Sequence, residues 1–394
     1  MKRKSAASVN DAKQKEDMTM TKIIYFIIIV TFIDTFIQLP VMTPYAISLG
    51  ASETMAGLII AVYSALNVVG NIAGGYAVDR YGRKPVLVIG TVLSAAVLLF
   101  YPLAQDAGQL LLVRAVHGVV SGLLIPCVFA IAGDYAAKRS TKPMAYIGAG
   151  IGSAAILGPA AGGILAASSL TDAVFYSVAV LFAICIWLTV KYVSESFRER
   201  ERRVVTGAPI MELLKHKKLQ QASLAAFALM VSNGTLAFAL PLKAEDLGLT
   251  QASAGIWLSI FGVTAVIIFV TKLNKIYDLY TSEKLTATGL ITIGLILGLI
   301  QWITLPVVIP GLMFIYGIGF ALIFPSMNQM VTDMSNKATR GKAFGIFYSF
   351  FSAGVVAGSS LAGFVSEKAG LPFTGGAALI LTVSLIFMAI GRLR

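Results

Sequence analysis

The chain has 394 residues, of which 57% are hydrophobic and only 13% charged, and its formal net charge is +12. Soluble domains carry roughly a quarter charged residues, so this composition excludes a soluble enzyme and indicates an integral membrane protein. The apolar runs are about 20 residues long and do not alternate in polarity, which selects helices over a β-barrel.

Taken in order, residues 1–22 form a polar, basic tail, and the run after them is too long for a signal-peptide core, so it reads as an uncleaved first span. Twelve spans are expected, at 23–48, 55–78, 85–104, 109–133, 143–168, 173–193, 219–242, 253–275, 285–304, 307–331, 341–366 and 373–391. They imply an all-α membrane protein with two pseudo-symmetric six-helix bundles, 23–193 and 219–394, joined by a linker over 194–218. With the N-terminus inside, all but three of the 31 Lys and Arg fall on the cytoplasmic side, the exceptions being Lys243, Lys368 and the intramembrane Arg114. That asymmetry predicts cytoplasmic termini and assigns the positive charge to topology rather than to nucleic acid; the compact length and short loops suit a plasma or inner membrane. The linker sets Arg198, Arg200, Arg202, Arg203, Lys215, Lys217 and Lys218 around an amphipathic 210–214 patch, a pattern suited to anionic lipid headgroups.

The two halves repeat. Leu49-Gly50 and Gly57 recur as Leu247-Gly248 and Gly255, Asp79 as Asp278, Gly118 as Gly317, Pro126 as Pro325, and Asp134 as Asp333, at a shift of about 199 residues. Gly158-Pro159 with Gly162-Gly163 recurs as Gly358-Ser359 with Ala362-Gly363. Parallel repeats of this kind place a substrate cavity between the halves. At the same shift Asp34 faces Asn233 and Arg114 faces Met313, so only the first half carries charge at depth.

Asp34 lies about eleven residues into the first span, roughly 16 Å deep at 1.5 Å per residue. An ionised, unpaired carboxylate there costs several kcal/mol, so it must pair, face water or hold a proton, and it is a candidate proton carrier. An interhelical hydrogen-bond role is the alternative. Arg114 is its natural partner, a fixed charge that keeps its proton. His117, one turn on, titrates near neutrality and is either a second proton site or a cavity-lining group. Between spans 2 and 3 stands the basic turn Gly75-x-x-x-Asp79-Arg80-x-Gly82-Arg83-Lys84. Gly75 is expected to admit a neighbouring helix closely. Asp79 is expected to pair with Arg83 and to meet the positive N-terminus of a helix.

That turn resembles the loop 2–3 signature of the major facilitator superfamily of secondary transporters. Arg114-x-x-x-Gly118 resembles the superfamily's span-4 motif, with His117 where Gln is usual. Gly158-Pro159-x-x-Gly162-Gly163 is similar to the end of the span-5 antiporter motif, which the family associates with export. Asp34 with Leu39-Pro40 and Pro44-Tyr45 resembles the span-1 motif of the twelve-span drug:proton antiporters. The resemblance covers essentially the whole chain. It implies that the turn latches onto span 11, which starts at Arg340-Gly341-Lys342, and that the latch stabilises the outward-open state. Asp134 with Arg139 would form a second part of it.

Tyr45, Asn233, Trp257, Tyr316, Phe347, Tyr348 and Phe351 lie in spans expected to line the cavity, and their character suits lipophilic or amphipathic compounds. There is no Walker A sequence, no metal-ligand spacing and no Gly-x-Ser-x-Gly elbow, so no cofactor, metal or enzymatic chemistry is expected. The expected function is proton-coupled efflux of small lipophilic or amphipathic molecules by alternating access, acting as a monomer, with protons, substrate and membrane lipids as the partners. The alternatives are an exporter dedicated to an endogenous metabolite such as a siderophore or sugar, and a non-transporting membrane sensor of the same fold.

Overall fold

A computed structural model describes residues 22–137, 143–168, 170–195, 210–335 and 339–392. Every regular element among them is helical. In lipid the backbone must satisfy its own hydrogen bonds, and a helix does so within each segment. Eleven helices are long and apolar enough to cross a membrane, and one bent pair raises the number to twelve.

The bent pair is the first span. It consists of α1 (Lys22–Ile37) and α2 (Met42–Ser48), which meet at 47° rather than forming one rod. Pro40 causes the break, because it lacks an N–H and forces the preceding residue out of the helical region. There follow α3 (Glu53–Tyr81), α4 (Arg83–Leu98), α5 (Ala107–Gly122), α6 (Leu124–Ala137), α7 (Pro143–Ala167) and α8 (Thr171–Tyr192). The fourth span is thus also interrupted, and Pro126 explains it: its ring would collide with the carbonyl of Gly122 in a continuous helix. The linker ends in a short α9 (Ile210–Leu214), which coincides with the amphipathic patch.

The second half contains α10 (Lys217–Asp246), α11 (Gln251–Val270), the single turn α12 (Ile276–Leu279), α13 (Ser282–Trp302), α14 (Ile309–Met334), α15 (Arg340–Ala369) and α16 (Pro372–Arg392). The counterpart of Pro40 here is Ala239, so α10 runs unbroken for 30 residues where the first half bends.

The duplication is structural as well as textual. Gly50 and Gly248 both take left-handed backbone, with φ of 81° and 72°, and end α2 and α10. In each case the next amide reaches back five residues, Ala51 N–H to the Ala46 carbonyl at 3.0 Å and Leu249 N–H to that of Ala244 at 2.8 Å. This left-handed C-cap is why the Leu-Gly pair recurs.

The halves meet where α3 crosses α15 and where α7 crosses α11, and these two crossings are copies of each other. A Cβ on Gly57 would lie 3.2 Å from the Gly363 Cα, and one on Gly163 would lie 3.1 Å from the Gly255 Cα. Both crossings sit toward the end of the molecule remote from the chain termini. Thr43 Oγ1 donates to the Ala237 carbonyl (3.2 Å) and the Thr54 N–H to Glu367 Oε2 (2.9 Å) at that same end. Toward the terminal end, Cβ atoms on Gly75 of α3 or Gly345 of α15 would meet nothing within 4 Å.

Candidate functional site

Asp34 lies on α1, fully buried. Around it converge side chains from α3, α5 and the turn Tyr101–Leu103 that follows α4. Gln38, one turn on from Asp34, donates from Nε2 to Asp34 Oδ1 (3.0 Å) and to the Asp34 carbonyl (2.8 Å). Ser121 Oγ donates to Asp34 Oδ2 (3.2 Å), and His117 Nε2 stands 3.1 Å from the same oxygen. The His117 ring is turned so that this last contact is electrostatic rather than a directed hydrogen bond.

Arg114 does not touch Asp34. Its Nη1 donates to Gln38 Oε1 (2.7 Å) and to the Tyr101 hydroxyl (3.2 Å), and its Nε to the Ile59 carbonyl (3.4 Å). Tyr101 in turn shares a 2.9 Å hydrogen bond with His117 Nδ1. Because guanidinium only donates, the Tyr101 oxygen accepts from Arg114 and is free to donate its proton to Nδ1. That tautomer leaves the Nε2 proton on the Asp34 side. Two chains therefore run from one guanidinium to one carboxylate, through Gln38 to Oδ1 and through Tyr101 and His117 to Oδ2.

Tyr63 closes the cluster. The Arg114 guanidinium lies 4.3 Å from its ring centre, and its hydroxyl is 2.9 Å from Ser121 Oγ and 3.1 Å from Thr35 Oγ1. Asp34, His117 and Tyr101 are 0% exposed and Arg114 is 6% exposed, so the cluster is sealed in this conformation. A low-dielectric site strengthens each of these interactions and penalises any donor left over. The structure thus brings Asp34, Arg114 and His117 together, with the correction that the arginine is linked to Asp34 only through intervening side chains. Gln38, Tyr63, Tyr101 and Ser121 were not anticipated. The only sequence signal was that Gln38 follows Asp34 by four residues, on one helix face.

The basic turn is arranged differently from expectation. Asp79 is exposed and makes no hydrogen bond or ion pair among the described residues, so it does not pair with Arg83. Gly82, with φ of 98°, ends α3 between them, and residues on either side of a helix break do not share a face. The carboxylate of Glu195, just beyond α8, caps α4 instead, accepting from the N–H groups of Arg83 (3.1 Å) and Lys84 (3.0 Å). Lys84 Nζ donates to the Val190 carbonyl (3.0 Å), which ties the turn to the end of α8. Arg80 lies over the rings of Tyr76 and Tyr81. Close approach is provided by Gly70 and Gly74, which back onto α5 and Leu123, not by Gly75. The side chain of Asp134, and Arg139, lie outside the described residues.

The Gly158–Gly163 motif faces two ways. Gly158 and Gly162 lie against the backbone of Phe36 and Ile37, where α1 ends, while Gly163 and the Pro159 carbonyl face Gly255 and its neighbours on α11. The motif thus clamps the bend of the first span to the seam between halves.

The aromatic residues divide. Tyr316 and Phe347 are fully buried and Trp257 is 4% exposed, so they pack inside the second half and do not line an open surface here. Tyr45 donates to the Tyr101 carbonyl (2.7 Å) and leans on Phe175, within the first half. Asn233 and Phe351 are half-buried, and Tyr348 is exposed beside Phe351. No cluster of metal-ligating side chains occurs among the described residues.

Up to twelve apolar helices among the described residues, duplicated in two halves and enclosing a sealed ionisable cluster in the first, define a multi-pass membrane protein. The chain belongs to the Major Facilitator Superfamily, whose model matches residues 24–309 and 222–393. It is 25% identical over 326 residues to the multidrug resistance protein MdtG of Escherichia coli O9:H4 (strain HS), covering 81% of this chain and 80% of that one. It is 26% identical over 343 residues to MdtG of Enterobacter lignolyticus (strain SCF1), covering 84% and 82%. Among solved structures, the nucleoside transporter NupG superposes with a TM-score of 0.78 at 16% identity, over 95% of this chain and 99% of that one. A bacterial homologue of the human lysosomal transporter Spinster, inward-facing and occupied, gives 0.77 at 14% identity over 95% and 97%.

Proposed function

We propose that the protein is a proton-coupled exporter of small lipophilic or amphipathic compounds, working by alternating access as a monomer with both termini in the cytoplasm. The observation that carries this reading is the buried Asp34–His117 contact, two titratable groups sealed at mid-depth beside a permanent cation. Such a cluster is costly in a membrane protein that has no use for it. In this reading the conformation described is closed toward the outside and faces inward. Asp34 and His117 hold and release the coupling proton, and Arg114 is the fixed charge that biases them. The Asp79–Arg80–Arg83 turn engages the start of α15 only when the terminal end closes, which accords with an Asp79 that has no partner among the described residues and with an open Gly75. The relatives named for multidrug resistance support the drug-like cargo.

A proton-motive force of about 150 mV is worth about 3.5 kcal/mol per charge moved. One proton per cycle would therefore sustain a gradient of a few hundredfold in a neutral solute. The deciding experiment is proton-driven efflux in inverted vesicles, wild type against Asp34→Asn. Loss of coupled transport in the variant is expected; full coupled transport in the variant would overturn the assignment.

A further inference from the structure

We propose that Gln38 is a positioning residue: Arg114 acts on Asp34 through its side-chain amide, and Gln38 thereby sets the pH at which Asp34 exchanges its proton. The inference rests on the proton-coupled reading above.

Its basis is directional. An arginine can only donate, so the amide facing it must present Oε1, and Nε2 is then obliged to point at the carboxylate. The distances fit that sense, 2.7 Å from Arg114 Nη1 to Oε1 and 3.0 Å from Nε2 to Asp34 Oδ1. The amide delivers a donor to Asp34, while the bulk of the side chain, which a methionine would keep, holds the guanidinium away from the carboxylate. Gln38 is 2% exposed, so water has no room to replace either bond.

Gln38 also stands at the bend of the first span. Its carbonyl accepts from the N–H groups of Val41 (3.1 Å) and Met42 (3.0 Å), the residues that start α2. Any change in the angle between α1 and α2 turns this residue, and with it the link between Arg114 and Asp34. The bend is clamped on its other side by Gly158 and Gly162 of α7, which faces α11 across the seam between halves. The amide is thus attached to the bend that α7 clamps against the seam.

The other charged or titratable groups facing Asp34 are Arg114 and His117 from α5, Tyr63 from α3 and Tyr101 from the turn after α4. Helix α7, packed on α1, brings no ionisable side chain between residues 150 and 167. With those groups in place, removing the amide takes one donor from the carboxylate, which favours its protonated form.

The test is an infrared titration of the purified full-length protein, following the protonated-carboxyl band that Asp34→Asn abolishes. Gln38→Met keeps the length and volume while removing donor and acceptor. Gln38→Glu keeps the acceptor toward Arg114 and places a second carboxylate beside Asp34. Both are expected to move the midpoint of the band toward alkaline pH, Gln38→Met by about one unit and Gln38→Glu by more. A band midpoint equal to wild type in folded Gln38→Met overturns the assignment; should Gln38→Met fail to fold, Gln38→Leu decides in its place, since the charge of Gln38→Glu moves the band by itself. Loss of the proton-coupled reading looks different: wild-type vesicles then ignore the proton gradient even though the Asp34 band titrates.

Discussion

His117 and Tyr316 occupy the same place in the two halves, each with its ring edge-on to an aromatic neighbour, 5.3 Å from Tyr63 and 5.4 Å from Phe261. The following glycines match as well, since Gly118 backs onto Tyr63 and Gly317 onto Phe261. What differs is the partner. His117 faces the Asp34 carboxylate, whereas the Tyr316 hydroxyl shares a 2.6 Å hydrogen bond with Ser232. One scaffold has thus been kept twice, with titratable chemistry in the first copy and a neutral hydroxyl pair in the second.

That comparison supplies its own experiment. Exchanging His117→Tyr installs the side chain of the second half, preserving ring packing while removing the nitrogen that faces Asp34. Proton-driven efflux in vesicles is expected to fall by roughly tenfold or more, with the thermal midpoint little changed. Unaltered efflux would reduce His117 to a packing residue.

The seam between halves makes a second, contrasting pair of predictions. Gly163→Leu must push Gln251 and Gly255 away, so the closed remote end is expected to lose about 1–3 kcal/mol. Cysteine accessibility at that end should rise accordingly. Gly75→Leu has open space in this conformation and is expected to leave the thermal midpoint unchanged. It should nevertheless stop turnover if α3 meets α15 when the terminal end closes. Normal turnover in Gly75→Leu would remove the turn from the gate.

Glu195 is expected to stabilise the start of α4. It supplies a carboxylate to two amides at a helix N-terminus, where negative charge is favoured. Glu195→Ala should cost about 1 kcal/mol, seen as a lower melting temperature, and Glu195→Gln should restore part of it. Equal melting temperatures for all three proteins would show that the cap is dispensable.

How much of this was readable in the residues follows from what kind of signal each one gives. Asp34 and Arg114 stand out because a charge inside an apolar run is costly unless it is paired or solvated, and the Leu-Gly pairs stand out because left-handed backbone favours glycine. Gln38, Ser121, Tyr63 and Tyr101 are ordinary neutral residues of membrane helices. Their convergence depends on how α1, α3 and α5 are rotated against one another, which no local pattern encodes. Asp79 and Arg83 mislead for the opposite reason: their spacing suits a continuous helix, and Gly82 interrupts it. Glu195 sits at the start of an arginine-rich linker, where one acid looks like solvated charge. Tyr316 is an aromatic residue in a span expected to line the cavity, which suggested a cavity wall, and only packing shows it to be core.

The last prediction concerns the remote end. Glu367 near the end of α15 accepts from the Thr54 N–H at the start of α3, so a carboxylate of one half rests on the helix N-terminus of the other. The equivalent crossing has no such group, since the counterpart of Glu367 is Ala167. One of two otherwise matched seams is therefore clasped by charge, and that seam should be the more sensitive to neutralisation. Glu367→Gln keeps the hydrogen-bonding shape and removes the charge that favours a helix N-terminus. The expected outcome is a severalfold shift toward conformations open at the remote end, read as the distance distribution between spin labels on the α2–α3 and α15–α16 loops. The same labels should report little change for Ala167→Ser at the unclasped seam. A distribution unmoved by Glu367→Gln would mean that glycine packing alone, at Gly57 and Gly363, holds the halves together.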